Sequence, residues 1–217
     1  MTDSNGARVT VTGTGRVERA ADVARATFVI EGSRPSAAEA RAVAARIATD
    51  VLEALARAGI PATDTRTAGI DVSPEWEHDG TRAIRKGFTV TNRIAVVIRD
   101  LELVGAVLDA GLEAGATGLD AVAFQLADTT ADTAEARRLA VADARARAET
   151  IAAAAGATLG SLVAIAEGTQ AVPLGRPELR LAALSDASFS PTPVLPGTIE
   201  VTVSVAAEWT LAGDAPR

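Results

Sequence analysis

Residues 9–32, VTVTGTGRVERAADVARATFVIEG, decide how this chain reads. The alternation in RVTVTG, residues 8–13, predicts a short strand, because a strand shows successive side chains to opposite faces. Gly13-Thr14-Gly15 has the spacing of a phosphate-binding loop, but that reading needs a helix N-terminus immediately afterwards. More alternation follows instead, with Ala24, Ala26, Phe28 and Ile30 on one face of a segment spanning about 16–31. The glycines are therefore expected to form a hairpin turn between two strands.

Outward from this stretch, the punctuation is regular. Ser36 and Glu39 stand at the spacing of a capping box and open a helix to about residue 58, with Ala40, Val43, Ile47, Val51 and Leu55 as its apolar stripe. A long hairpin follows. Ile70, Val72 and Trp76 alternate on its first arm, Phe88, Val90, Ile94, Val96 and Ile98 on its second, and Asp79-Gly80 marks the turn. His78 falls at the tip and is expected to be solvated. Asp100 caps a second helix over 101–114, with Leu101, Val104, Val107, Leu108 and Leu112 facing inward, and a strand is expected at 117–127. Thr129 or Thr130 caps a third helix, reaching residue 155, with a narrow stripe at Leu139, Ala142, Ala146 and Ile151. Three times a helix pattern ends in Ala-Gly, at residues 58–59, 114–115 and 155–156, the usual C-terminal cap.

A strand at 159–168 and a last one at 198–210 flank a stretch that breaks the pattern. Residues 170–197 carry five prolines and read as a long loop. Leu179, Leu181, Leu184, Phe189, Val194 and Leu195 make it too apolar for a solvated linker, so it is a candidate interface arm or a cover over a pocket. Residues 211–217 read as a frayed tail. The order of elements predicts an α+β fold: a mostly antiparallel mixed sheet of about seven strands, with three helices packed on one face. The whole chain, 1–217, reads as one domain.

Composition narrows the chemistry. There is no cysteine and only one histidine, so disulfides, thiolate sites and any site needing two imidazoles are excluded. No metal and no cofactor are expected. A net charge of −7 disfavours nucleic acid, and the Arg137, Arg138, Arg145, Arg147 cluster alternates with Glu135, Asp143 and Glu149 as a solvated helix face does. No apolar run is long enough for a transmembrane helix, and the start MTDSNG is not a signal peptide, so the chain reads as cytoplasmic. Aromatics make up 3% of the residues, against 49 alanines, so the core must come from close approach of elements or from a subunit interface.

Residues 9–32, followed by ALARAGIPATDTRTAGIDVSPEWE, GFTVTNRIAVVIRDLELVGAVLDAGLEAGA, ARRLAVADARARAETIAAAAGATLGSLVAIAEG and PGTIEVTVSVAAEW, resemble the SIMPL domain family over nearly the whole chain. Ala21 stands where the family usually has proline, and Gly87-Phe88 where it commonly has Gly-Tyr. The resemblance implies the SIMPL fold and a place among homo-oligomers, periplasmic or envelope-associated proteins and proteins of oxidative-stress defence. It implies no shared catalytic mechanism.

Two functional readings follow. One is a non-enzymatic protein forming a homo-oligomer, with a stress-related role. The other is a small-ligand binder or an enzyme that uses carboxylates for proton transfer and arginine for anions, in a pocket covered by residues 170–197. Asp71, Glu75 and Glu77 share the polar face of one hairpin arm, with Arg93 on the polar face of the other, and they are the candidate catalytic residues. Ion pairs across a solvated sheet account for the same pattern.

Overall fold

The computed structural model describes residues 6–80, 82–168 and 197–212. In chain order its elements are β1 (Arg8–Ala20), β2 (Val23–Arg34), α1 (Ala37–Arg57), β3 (Thr65–Asp79), β4 (Arg82–Ile98), α2 (Val104–Glu113), β5 (Gly118–Gln125), α3 (Thr130–Ala154), β6 (Thr158–Glu167) and β7 (Thr198–Ala212). The α+β fold class and the seven strands agree with the sequence. The strands nevertheless form two antiparallel sheets, not one mixed sheet, and the chain divides into two compact units around them.

The four-stranded unit holds β3-β4-β2-β5 in that order, with α1 and α2. Its core is built from large side chains. Phe28 and Ile30 of β2, Val90, Ile94, Val96 and Ile98 of β4, Val51 and Leu55 of α1, and Val104 and Val107 of α2 are all fully buried. Each such burial stabilises by about 1.5–3 kcal/mol before entropy is counted. Ser36 caps α1, its hydroxyl accepting from the Glu39 N–H at 3.3 Å. Along α1 the buried positions are Ala40, Ala44, Ala48, Val51, Ala54 and Leu55, so small residues replace the expected Val43 and Ile47 at the contact. Asp100 caps a single 3-10 turn, Leu101–Leu103, ahead of α2, and accepts from Glu102 N–H at 3.0 Å. Leu112 is exposed.

The three-stranded unit holds β1-β7-β6, with α3 lying on β1 and β7. Here Gly13-Thr14-Gly15 is not a turn. β1 runs through it without interruption, paired Gly13↔Val205, Thr14↔Ser204 and Gly15↔Val203 with β7. The glycines serve contact instead. A Cβ on Gly13 would strike the Ala140 carbonyl and the Ala144 backbone, and one on Gly15 the Ala136 carbonyl. The helix backbone lies directly on the strand. Correspondingly, α3 buries Ala136, Ala140, Ala144, Ala148 and Ala152 at four-residue spacing. The expected stripe of Leu139, Ala142, Ala146 and Ile151 is wrong: it followed Leu139 and Ile151, whereas the buried face is the line of alanines that meets Gly13 and Gly15, and Ala142 and Ala146 lie off it. Leu139 packs only at the margin of this core, and Ile151 is exposed. Thr129 gives α3 no side-chain cap; Asp128 accepts from the Thr130 N–H at 2.8 Å.

The three Ala-Gly endings are helix caps as read, with φ of 92° at Gly59, 107° at Gly115 and 71° at Gly156. Gly80, with φ 60°, makes the β3–β4 turn. β7 extends to Ala212, two residues into the expected tail. The remainder of that tail, the side chain of His78, and Leu179, Leu181, Leu184, Phe189, Val194 and Leu195 lie outside the described residues.

Candidate functional site

Two surfaces stand out, one in each unit. In the four-stranded unit, pairing fixes which side chains share a face. Positions 24–30 and 90–98 of even number face α1 and α2 and are buried, so the intervening residues project from the opposite face. Arg93, Asp71 and Glu75 lie on that opposite face, as the alternation predicted.

These candidates do not converge. Asp71 is exposed opposite Thr91. Glu75 accepts a hydrogen bond from the Ser33 hydroxyl at 2.7 Å, and Glu77 lies 3.9 Å from the Lys86 ammonium. Arg93 pairs with Asp120 of β5 at 2.9 Å, a partner the hairpin sequence does not contain. Along an extended strand, Asp71 and Glu75 stand about 13 Å apart, too far to share a proton. What the structure assembles here is a set of separate ion pairs and hydrogen bonds. Among the described residues no group of three or more His, Asp or Glu is placed to hold a metal ion.

Beyond the predicted residues, the same face opens into a cleft of about 350 Å³. Arg25 of β2, Arg66 of β3 and Arg99, just past β4, wall it, and Thr27, Ala95 and Val97 line it between them. Ala95 pairs with Thr27 on one side and Arg66 on the other, while Val97 pairs with Arg25. The small Ala95 side chain leaves the hollow. Arg99 is held in a two-pronged bond to Asp64, at 2.8 Å from both Nε and Nη2. The Arg99 fork lowers the Asp64 carboxyl below its ordinary range, and Asp64 in turn raises Arg99. Arg25 donates its Nε to the neutral Gln125 oxygen at 2.9 Å. Sequence reading missed this cluster because its members come from three strand ends. The available trace was the arginine at alternating positions on strands whose other face is apolar.

In the three-stranded unit the two sheet edges differ. On β1, the Asp143 carboxylate of α3 accepts from the Thr14 N–H at 2.8 Å, and Arg147 lies 2.9 Å from the same carboxylate. The Thr14 N–H above all, and then Arg147, hold the Asp143 carboxyl below its usual range. β6, the other edge, pairs with β7 alone and has no second partner strand among the described residues. Leu162, Val163 and Ile165 of β6 are 49%, 42% and 46% exposed. Its sequence, TLGSLVAIAE, holds no proline and one charge, Glu167, which Arg137 of α3 binds at 2.7 Å.

Comparison with known proteins identifies the family. The model of SIMPL, a protein of unknown function (DUF541), matches residues 9–209. The chain belongs to the SIMPL family. It is 32% identical to the 26 kDa periplasmic immunogenic protein of Brucella abortus (strain S19) over 209 residues, covering 92% of this chain and 82% of the relative. The uncharacterized protein YggE of Edwardsiella ictaluri is 28% identical over 162 residues, 74% of this chain and 67% of that protein. YggE of Escherichia coli (strain K12) is 24% identical over 148 residues, 68% and 60% respectively. The Brucella names correct the cytoplasmic expectation, since they point to the periplasm. No helix of the described residues is long and apolar enough to cross a membrane.

Proposed function

We propose that this SIMPL protein works as a non-enzymatic homo-oligomer and that β6 is its assembly edge. The observation behind this reading is the apolar β6 strand, whose outer edge no second strand among the described residues pairs. An unpaired strand edge offers a row of N–H and C=O groups to another chain, and proteins usually blunt it with charge, proline or a covering element. β1 is treated that way by Asp143, whereas β6 has only Glu167 at its end. A second copy docking its own β6 antiparallel would pair the two edges symmetrically. It would also cover Leu162, Val163 and Ile165. Ile70, Val72, Trp76 and Ile84 give the four-stranded unit a second uncovered apolar surface, on the β3–β4 hairpin. A closed assembly larger than a dimer requires two such interfaces. The apolar residues of 170–197 belong to the same proposal as a further contact.

The oxidative-stress role implied by the family resemblance would then rest on assembly or binding. With no cysteine and one methionine, the chain has little side-chain redox chemistry of its own.

Light scattering coupled to size exclusion tests the reading on the full chain, on Ile165→Lys and on a chain lacking residues 174–195. A defined oligomer that falls to a smaller species, a dimer or monomer, in Ile165→Lys supports assembly through β6. Collapse only on the deletion moves the interface to the 170–197 segment, and a full-length chain that stays monomeric overturns the proposal.

A further inference from the structure

We infer that the Arg25–Arg66–Arg99 cleft is a binding site for a small oxyanion, a carboxylate or phosphate carrying a short aliphatic body. Three arginines line one hollow in a chain whose net charge is −7. Arg99 is matched by Asp64, whose side chain is only 8% exposed and whose two oxygens both face that arginine. Asp22 also acts on Arg99 through its charge, so two carboxylates stand against the three arginines and the cleft keeps an excess of positive charge. Like charges gathered around a hollow repel, and an anion between them converts that repulsion into charge-assisted hydrogen bonds.

Geometry sets the class of ligand. Asp64 occupies Nε and one N–H of Nη2 of Arg99 and holds the plane of the guanidinium, leaving Nη1 and the second N–H of Nη2 as donors. Arg25 is likewise held through Nε by Gln125, which leaves its terminal amino groups. Planar forks of this kind suit the paired oxygens of a carboxylate or phosphate. Ala95 and Val97, half-buried at the base of the cleft, offer an apolar surface to whatever the anion is attached to. About 350 Å³ lies at the small end of ligand pockets, which run from about 300 to 1,000 Å³. The Thr27 hydroxyl stands beside Ala95 as a further polar group.

Isothermal titration with butyrate, inorganic phosphate and butyl phosphate provides the test, with thermal melting as a control on folding. Saturable binding of at least one organic anion is expected. Arg66→Gln should weaken it about tenfold or more, the effect of losing one charge-assisted contact. Ala95→Leu should abolish it by filling the hollow without altering charge, and Arg46→Gln, on the exposed side of α1, should leave it unchanged. Preference for butyl phosphate over butyrate would identify the phosphate source, and the reverse the carboxylate. If Ala95→Leu fails to fold, Arg25→Gln takes its place and should weaken binding as Arg66→Gln does. No saturable binding, or binding equal in Arg66→Gln, overturns the inference. The oligomer mass of Arg66→Gln, measured in parallel, separates this result from the assembly proposal, which predicts no change.

Discussion

The two units solve the same packing problem with opposite materials. In the four-stranded unit α1 also presents Ala40, Ala44 and Ala48, but Phe28, Ile30, Leu55, Ile94 and Ile98 fill the core, and stability comes mainly from the apolar area of those large side chains. In the three-stranded unit, α3 meets the sheet through Ala136, Ala140, Ala144 and Ala148 over Gly13 and Gly15. A buried alanine methyl brings only about 0.8 kcal/mol, so this contact depends on many short-range contacts between backbones. An aromatic-poor sequence can therefore build a core, but one with no room for an added carbon. Large-residue packing tolerates rearrangement; backbone-on-backbone packing does not.

The largest expected effect tests the first half of this contrast. Phe28→Ala, which removes the ring lying beneath Gly111 of α2, should destabilise by about 3–5 kcal/mol in urea unfolding, as cavity-forming aromatic truncations do. A loss under about 1.5 kcal/mol would mean that the four-stranded core collapses readily around the gap. Next comes Gly15→Ala, a single added methyl in the other unit. Its collision with the Ala136 carbonyl should cost about 3 kcal/mol, the upper end of ordinary overpacking.

Gly32→Ala sharpens the comparison. On β2 the added Cβ would lie 3.0 Å from the Ala40 carbonyl and 3.3 Å from the Ala44 nitrogen, tight contacts that a small shift relieves. The change should stay within about 1 kcal/mol of neutral, because the lost freedom of the unfolded chain offsets the crowding. Equal losses at Gly15 and Gly32 would dissolve the distinction between the two interfaces.

How much of this was legible follows the same line. The caps at Ser36 and Asp100 and the glycines at 59, 115 and 156 were readable because each acts within a few residues of itself. The alternation on β2, β4 and β7 was readable too, since a face of large apolar residues announces itself. Gly13-Thr14-Gly15 was misread because its reason lies on α3, more than a hundred residues along. The alanine stripe was hidden among 49 alanines, most of them on no such contact. Partition into two sheets depends on which strands meet, and alternation does not encode partners. At the candidate site, Arg93 was visible but Asp120 was not. The cleft needed Arg25, Arg66 and Arg99 from three strand ends at once.

Acid gives the smallest and most graded test. Among the described residues, Asp128, Glu135, Asp143 and Glu167 of the three-stranded unit have lowered carboxyl pKa values, as does Asp64 of the four-stranded unit. Hydrogen bonds cause each shift: from the Thr130 hydroxyl and N–H, from Arg138, from the Thr14 N–H and Arg147, from Arg137 and from Arg99. A depressed carboxyl stabilises the fold above its unfolded pKa of about 4, and that contribution fades as pH falls toward its folded value. Trp209 is buried in the three-stranded unit and Trp76 is exposed, so the emission of Trp76→Phe follows Trp209 alone. Its urea midpoint should drop below about pH 4, and Asp143→Asn should flatten that drop. An unchanged acid profile in Asp143→Asn would remove Asp143 from the account.

The pairing of β1 with β7 carries a consequence for the order of events during synthesis. Arg8 and Glu208, joined at 3.1 Å, stand 200 residues apart in the chain. Every residue of the four-stranded unit's sheet and helices is made between them, in one unbroken run from 23 to 125. That unit can complete itself on a growing chain. β1 must wait for the last strand to emerge, roughly ten to forty seconds later at ordinary elongation rates. Throughout that interval β1 has no β7 beside it, and Gly13 and Gly15, which suit it to lie under a helix, leave it poorly shaped to stand alone. A chain halted before Thr198 therefore keeps one finished unit and strands its own beginning.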